Sequence, residues 1–180
     1  MTLTTQRRRY AVRTLVLTAA MAGLSWLPAL AQERPHPAID LAFGSLYFAD
    51  DGVVKEGFAG GAARFYLTPR LSVGPEAAFI VGGNHSHFML TGNLTCDLLA
   101  PVHGVARRVT PFVTAGGGLF RTDQQFFSGP FSHTEGAFTA GGGVRVRVVD
   151  HVSAGVEARL GWEMHLRVNG FVTFAVRNER

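Results

Sequence analysis

Gly136-Ala137-Phe138-Thr139-Ala140-Gly141-Gly142-Gly143-Val144-Arg145-Val146-Arg147-Val148 decides the fold. Phe138, Ala140, Val144, Val146 and Val148 alternate with Thr139, Gly141, Gly143, Arg145 and Arg147. Successive side chains of a strand point to opposite faces, so this stretch has one apolar and one small or charged face. Downstream, Val152 to Trp162 sets Val156 and Leu160 against Glu157 and Arg159, and Leu166 to Val176 sets Val168 and Phe174 against Arg167 and Asn169. Upstream, the pattern recurs over Ala38–Phe48, Gly57–Leu67, Leu71–Val81, His87–Leu99 and, less cleanly, Thr110–Arg121. Eight period-two runs without a helical stripe predict an all-β domain.

Short connections such as Thr68-Pro69-Arg70 and Val149-Asp150-His151 imply antiparallel hairpins. Longer loops are expected over 49–56, 82–86 and 121–135, with short Glu163-Met164 joining the last two runs. Ala59-Gly60-Gly61, Ala115-Gly116-Gly117-Gly118 and Ala140-Gly141-Gly142-Gly143 place glycines inside strands, where backbones approach closely or curve sharply. Eight such strands predict a narrow up-and-down barrel with a crowded interior.

The chain has 180 residues, 47% hydrophobic and only 17% charged, which excludes an intrinsically disordered protein. Its net charge of +4 is misleading as a nucleic-acid signal. Arg7, Arg8, Arg9 and Arg13 lie in a first segment without acids, so the remainder is neutral and no nucleic-acid partner is expected. Residues 1–31 read as a secretory signal peptide: those arginines, an apolar stretch from Leu15 to Leu27, then Pro28 and Ala29-Leu30-Ala31. Cleavage after Ala31 is expected, making 32–180 the barrel domain. The single Cys96 cannot form an intramolecular disulfide.

The barrel faces lipid rather than water by three arguments. The polar faces carry many small residues, as converging interior side chains require. Their charges nearly balance, with Asp40, Glu76, Asp97 and Glu157 against Arg64, Arg145, Arg147, Arg159 and Arg167. The apolar faces carry large residues uninterrupted by charge, over strands of about the 9–11 residues that cross a bilayer. The inward charges predict a plugged lumen of structural ion pairs, with Glu157 and Arg159 facing Arg145 and Arg147. The reverse packing would make a soluble periplasmic, lipocalin-like carrier of a small apolar ligand.

Two stretches carry a resemblance. Ala62-Ala63-Arg64-Phe65-Tyr66-Leu67-Thr68-Pro69-Arg70-Leu71-Ser72-Val73-Gly74-Pro75-Glu76 is similar to a strand–turn–strand hairpin, and Thr110-Pro111-Phe112-Val113-Thr114-Ala115-Gly116-Gly117-Gly118 to a recurrent strand, of small outer-membrane β-barrel proteins of the OmpA/OmpX type. The resemblance covers 38–176 and marks architecture, without a common activity. It implies an eight-stranded antiparallel transmembrane barrel in a Gram-negative-type outer membrane. Outer-membrane lipid and the barrel-assembly machinery are the implied partners, and a monomer the implied state. Such barrels commonly end on an aromatic residue; this chain ends Val176-Arg177-Asn178-Glu179-Arg180, with Phe174 its last aromatic.

Candidates for chemistry are sparse. His85 and His87 form a His-x-His pair, and His133 lies in a separate predicted loop, but no Cys or spaced carboxylate is recognised to complete a metal site. Some barrels of this size modify lipid A with Ser, His and an acid; Ser132, His133 and Glu135 sit together, yet neighbours in a strand point apart. No enzyme activity and no cofactor is therefore expected. Phe126, Phe127 and Phe131, in the predicted loop 121–135, are the candidate partner contacts.

Overall fold

The computed structural model describes residues 35–50, 52–83, 85–99, 107–126, 129–162 and 165–176; the predicted signal peptide lies outside them. Eight strands follow in order: β1 (Ala38–Asp50), β2 (Gly52–Tyr66), β3 (Leu71–Val81), β4 (His85–Asp97), β5 (Val109–Phe126), β6 (Gly129–Val149), β7 (Val152–Gly161) and β8 (His165–Ala175). Each pairs antiparallel with its sequence neighbour, and β1 pairs with β8 from Ala38↔Ala175 to Phe48↔His165, closing the barrel. Closure leaves no unpaired sheet edge around the wall, the condition for a sheet to sit in hydrocarbon.

The period-two faces fall as the sequence implies. Phe43, Phe79, Val156 and Leu160 are all more than 60% exposed on the outer surface. Their neighbours in sequence, among them Glu76, Glu157 and Arg159, are buried inside. An apolar exterior over a polar interior inverts a soluble barrel, so the lipocalin-like packing is not the one adopted.

Two predicted loops are strand. Residues 49–56 belong to a hairpin of β1 and β2 that pairs up to Asp50↔Gly52. Residues 121–135 largely extend β5 and β6, which pair out to Phe126↔Gly129. The pairing of β6 with β7 begins only at Thr139, so this hairpin projects beyond the wall. On its β7 side the ribbon has no neighbour, although β4 flanks β5 out to Gln124, and with little to bury its sequence lacks the alternation that reveals the other strands. Gly129 has φ of 131°, a conformation that favours glycine.

The in-strand glycines answer to crowding. A Cβ on inward-facing Gly116 would lie 1.8 Å from Asn93 Oδ1, and one on Gly143 2.9 Å from the Phe112 ring. Only a hydrogen fits at either point.

Candidate functional site: the barrel interior

Inward-facing residues stack in layers along the barrel. Nearest the end where β1 begins and β8 finishes, Asp40 accepts from Arg64 of β2 through Nε at 2.6 Å and Nη2 at 2.9 Å. Thr173 of β8 donates to the same carboxylate. At this end too, Asp97 at the end of β4 meets Arg145 of β6 at 3.4 Å, and the Arg145 guanidinium lies 5.1 Å from the Phe112 ring centroid.

The middle layer is a quartet. Glu76 of β3 accepts from Arg167 Nη1 of β8 at 2.5 Å and from Arg159 Nη1 of β7 at 2.8 Å. Glu157 accepts from Arg167 Nη2 at 2.9 Å and Arg159 Nη2 at 2.8 Å. Arg159 Nε also lies 2.6 Å from Glu157 Oε1, but its N–H is misdirected, and Nη2 makes the hydrogen bond. Asn93 donates to Glu76 at 2.6 Å, and the Arg167 guanidinium lies 4.6 Å from the Phe58 ring centroid. Two carboxylates and two guanidiniums cancel, as a site this far from water demands. Counting the flanking pairs, four carboxylates meet four arginines. A cavity of about 40 Å³ remains among these groups, room for water beside the unpartnered Asn169 Oδ1.

Above the quartet the interior turns apolar. Leu46, Phe58, Ala78, Ile80, Met89, Phe120 and Ala137 form a buried cluster, with Ala42 and Phe48 packed against it. Ion pairs, the only interior contents expected from the sequence, thus share the barrel with an apolar layer.

Arg64, Glu76, Asp97, Arg145, Glu157, Arg159 and Arg167 all point inward. Arg147 is a correction: it is half-buried near the end of β6 and makes no ion pair among the described residues. It stands opposite Ser153, close to the turn at 150–151 and to water. The expected pairing of Glu157 and Arg159 with Arg145 and Arg147 fails through register, because Glu157 is opposite Gly143 and Arg159 opposite Gly141.

Phe126 and Phe131 lie on strands of the projecting hairpin, not in a loop. Phe131 is 52% exposed and stacks on His133 at 6.4 Å. Phe126 lies in β5 with its side chain outside the described ones, and Phe127 is outside the described residues altogether. Beside them the Arg121 guanidinium, with help from the Ser132 hydroxyl, holds the exposed Asp123 carboxyl below its ordinary range.

Sequence reading missed one cluster. Glu56 of β2, His85 and His87 bring their ligating atoms within 4.8 Å of one another at the barrel end opposite the start of β1. The carboxylate absent from the neighbourhood of His85 in sequence is supplied by β2, two strands away, from a segment read as loop.

The family follows from the whole-length pattern. Residues 16–174 match the outer membrane protein beta-barrel domain. The chain belongs to that family. It is an outer-membrane protein, in agreement with its outward apolar face. Among solved structures it is similar to Neisserial surface protein A, at 11% identity and a TM-score of 0.65, covering 78% of this chain and 97% of that one. It is similar also to the N-terminal beta-barrel domain of Pseudomonas aeruginosa OprF, at 14% identity and 0.62, covering 80% and 100%. A third is Ail, the attachment invasion locus protein of Yersinia pestis, at 10% and 0.56, covering 79% and 98%. At these identities the likeness is one of fold. No curated protein matches the sequence.

Proposed function

We propose that this member of the family is a non-enzymatic envelope protein with a sealed lumen, whose outer hairpins serve surface contact or adhesion. The observation that carries the reading is the interior itself: the neutral Glu76–Glu157–Arg159–Arg167 quartet under an apolar layer around Ile80 and Phe120. An eight-stranded barrel is only wide enough to be filled by side chains, and the quartet and the apolar layer support that reading here. Both termini then lie in the periplasm after cleavage behind Ala31, and the projecting β5–β6 hairpin faces outward. The adhesion element draws on the fold shared with the attachment protein Ail and on the exposed Phe131. Ser132 and His133 are successive residues of β6 and point to opposite faces, and Ser86 is exposed while His87 is buried, so neither Ser–His pair has the geometry of an activated nucleophile.

The test is conductance of the purified barrel in a planar lipid bilayer. The sealed lumen predicts a silent membrane. Stable single-channel steps would overturn the plug. Cells displaying the barrel with residues 125–130 replaced by Gly-Ser should lose attachment to host-cell surfaces while keeping the barrel; undiminished attachment would remove the hairpin from the adhesion reading.

A further inference from the structure

We propose that Glu56, His85 and His87 form a binding site for a divalent transition-metal ion of the zinc class at the barrel mouth opposite the start of β1. His85 and His87 are two apart on β4 and so share a face, and β2 brings Glu56 against both. Glu56 Oε1 contacts His85 Nε2. Its Oε2 lies 3.4 Å from His87 Nε2, buried, with no hydrogen-bond partner. A buried carboxylate oxygen left idle costs free energy unless something else occupies it. An ion bonded at ~2.0–2.1 Å in a tetrahedral site holds its donor atoms about 3.3 Å apart. The Oε2–His87 separation already matches; the His85–Glu56 contact would open to admit the ion.

The surroundings orient the ligands. His87 Nδ1 is 2.9 Å from Thr122 Oγ1, which fixes the ring and leaves Nε2 turned to Glu56. Outer hydrogen bonds of this kind set imidazole direction at metal sites. Phe120 stacks on the His87 ring at 4.9 Å and Phe48 tilts against it at 5.8 Å, closing the apolar side. Gly82 opens the other: a Cβ there would lie 2.6 Å from His85 Nε2 and 2.7 Å from Glu56 Oε1. His85 is about a quarter exposed at its side chain, so the site is reached from outside the barrel. Two imidazoles and one carboxylate with a fourth position left to water are a zinc donor set, whereas magnesium and calcium take oxygen ligands.

The experiment is calorimetric titration of zinc chloride into the full barrel, folded in detergent micelles without a polyhistidine tag, its folding checked by unboiled electrophoretic migration. One zinc per barrel is expected, with no heat from magnesium chloride. His85→Gln and His87→Gln should each weaken binding at least tenfold, and Thr122→Val about tenfold. Gly82→Ala keeps every ligand and crowds the space between them, so it should also weaken binding even where Glu56→Gln fails to fold. His133→Gln and His151→Gln should change nothing. No zinc heat from the folded wild type would overturn the proposal. So would binding that survives His85→Gln/His87→Gln.

Discussion

Glu76→Gln removes one negative charge from the barrel centre with little change of volume. Arg159 and Arg167, which hold Glu76 at 2.8 and 2.5 Å, are then left to share Glu157. The interior gains one uncompensated positive charge, at a point where Arg167 is 1% exposed. At an effective dielectric of 20, each lost pair is worth about 4 kcal/mol at 4 Å, and the desolvation cost that Glu76 no longer incurs offsets much of the sum. Breaking one partner of a buried pair destabilises by about 3–5 kcal/mol, and the retained amide oxygen puts this variant near the lower bound. Arg167→Met should cost a similar amount. The double variant restores neutrality and should fall short of the sum of the singles by about 2–3 kcal/mol. The assay is urea unfolding in lipid vesicles, followed by fluorescence of Trp162, the single tryptophan after residue 31. A Glu76→Gln loss under about 1 kcal/mol, or strict additivity in the double variant, would refute the reasoning.

Other expectations follow from the same layers. Arg147→Gln, which breaks no ion pair, should shift stability by less than about 0.5 kcal/mol in the same unfolding assay. Val156→Arg, on the lipid face at mid-strand, should cost about 2–4 kcal/mol, while Phe131→Arg on the projecting hairpin should leave the unfolding midpoint unmoved. Gly116→Ala must displace the Asn93 side chain beside Glu76 and should lower the temperature at which the folded band is lost on electrophoresis; Gly136→Ala, with open space around its Cβ position, should not.

The strand faces were legible because lipid outside and packed side chains inside impose a strict two-residue period. Ile39, Leu41 and Phe43 could face only one way once Asp40 faced the other. The ion partners were not legible, because a pair such as Arg167 and Glu76 lies 91 residues apart and depends on closure of the barrel. Charge balance hinted at the count, yet it admitted Arg147, whose place near the rim only the register reveals. The apolar layer hid for another reason. Leu46, Ile80 and Met89 interrupt the alternation just where the interior stops being polar, and an apolar residue on the inward face reads as noise. Glu56 was lost with the hairpin that carries it, because the sequence Asp50-Asp51-Gly52 reads as the centre of a longer loop.

The closed, lipid-facing barrel is tested most directly by electrophoresis in SDS of boiled and unboiled outer-membrane fractions. Continuous pairing from β1 round to β8 predicts that unboiled protein keeps its fold and migrates apart from the boiled, unfolded chain. A single band at one position in both samples, or protein found only in the aqueous fraction, would contradict it.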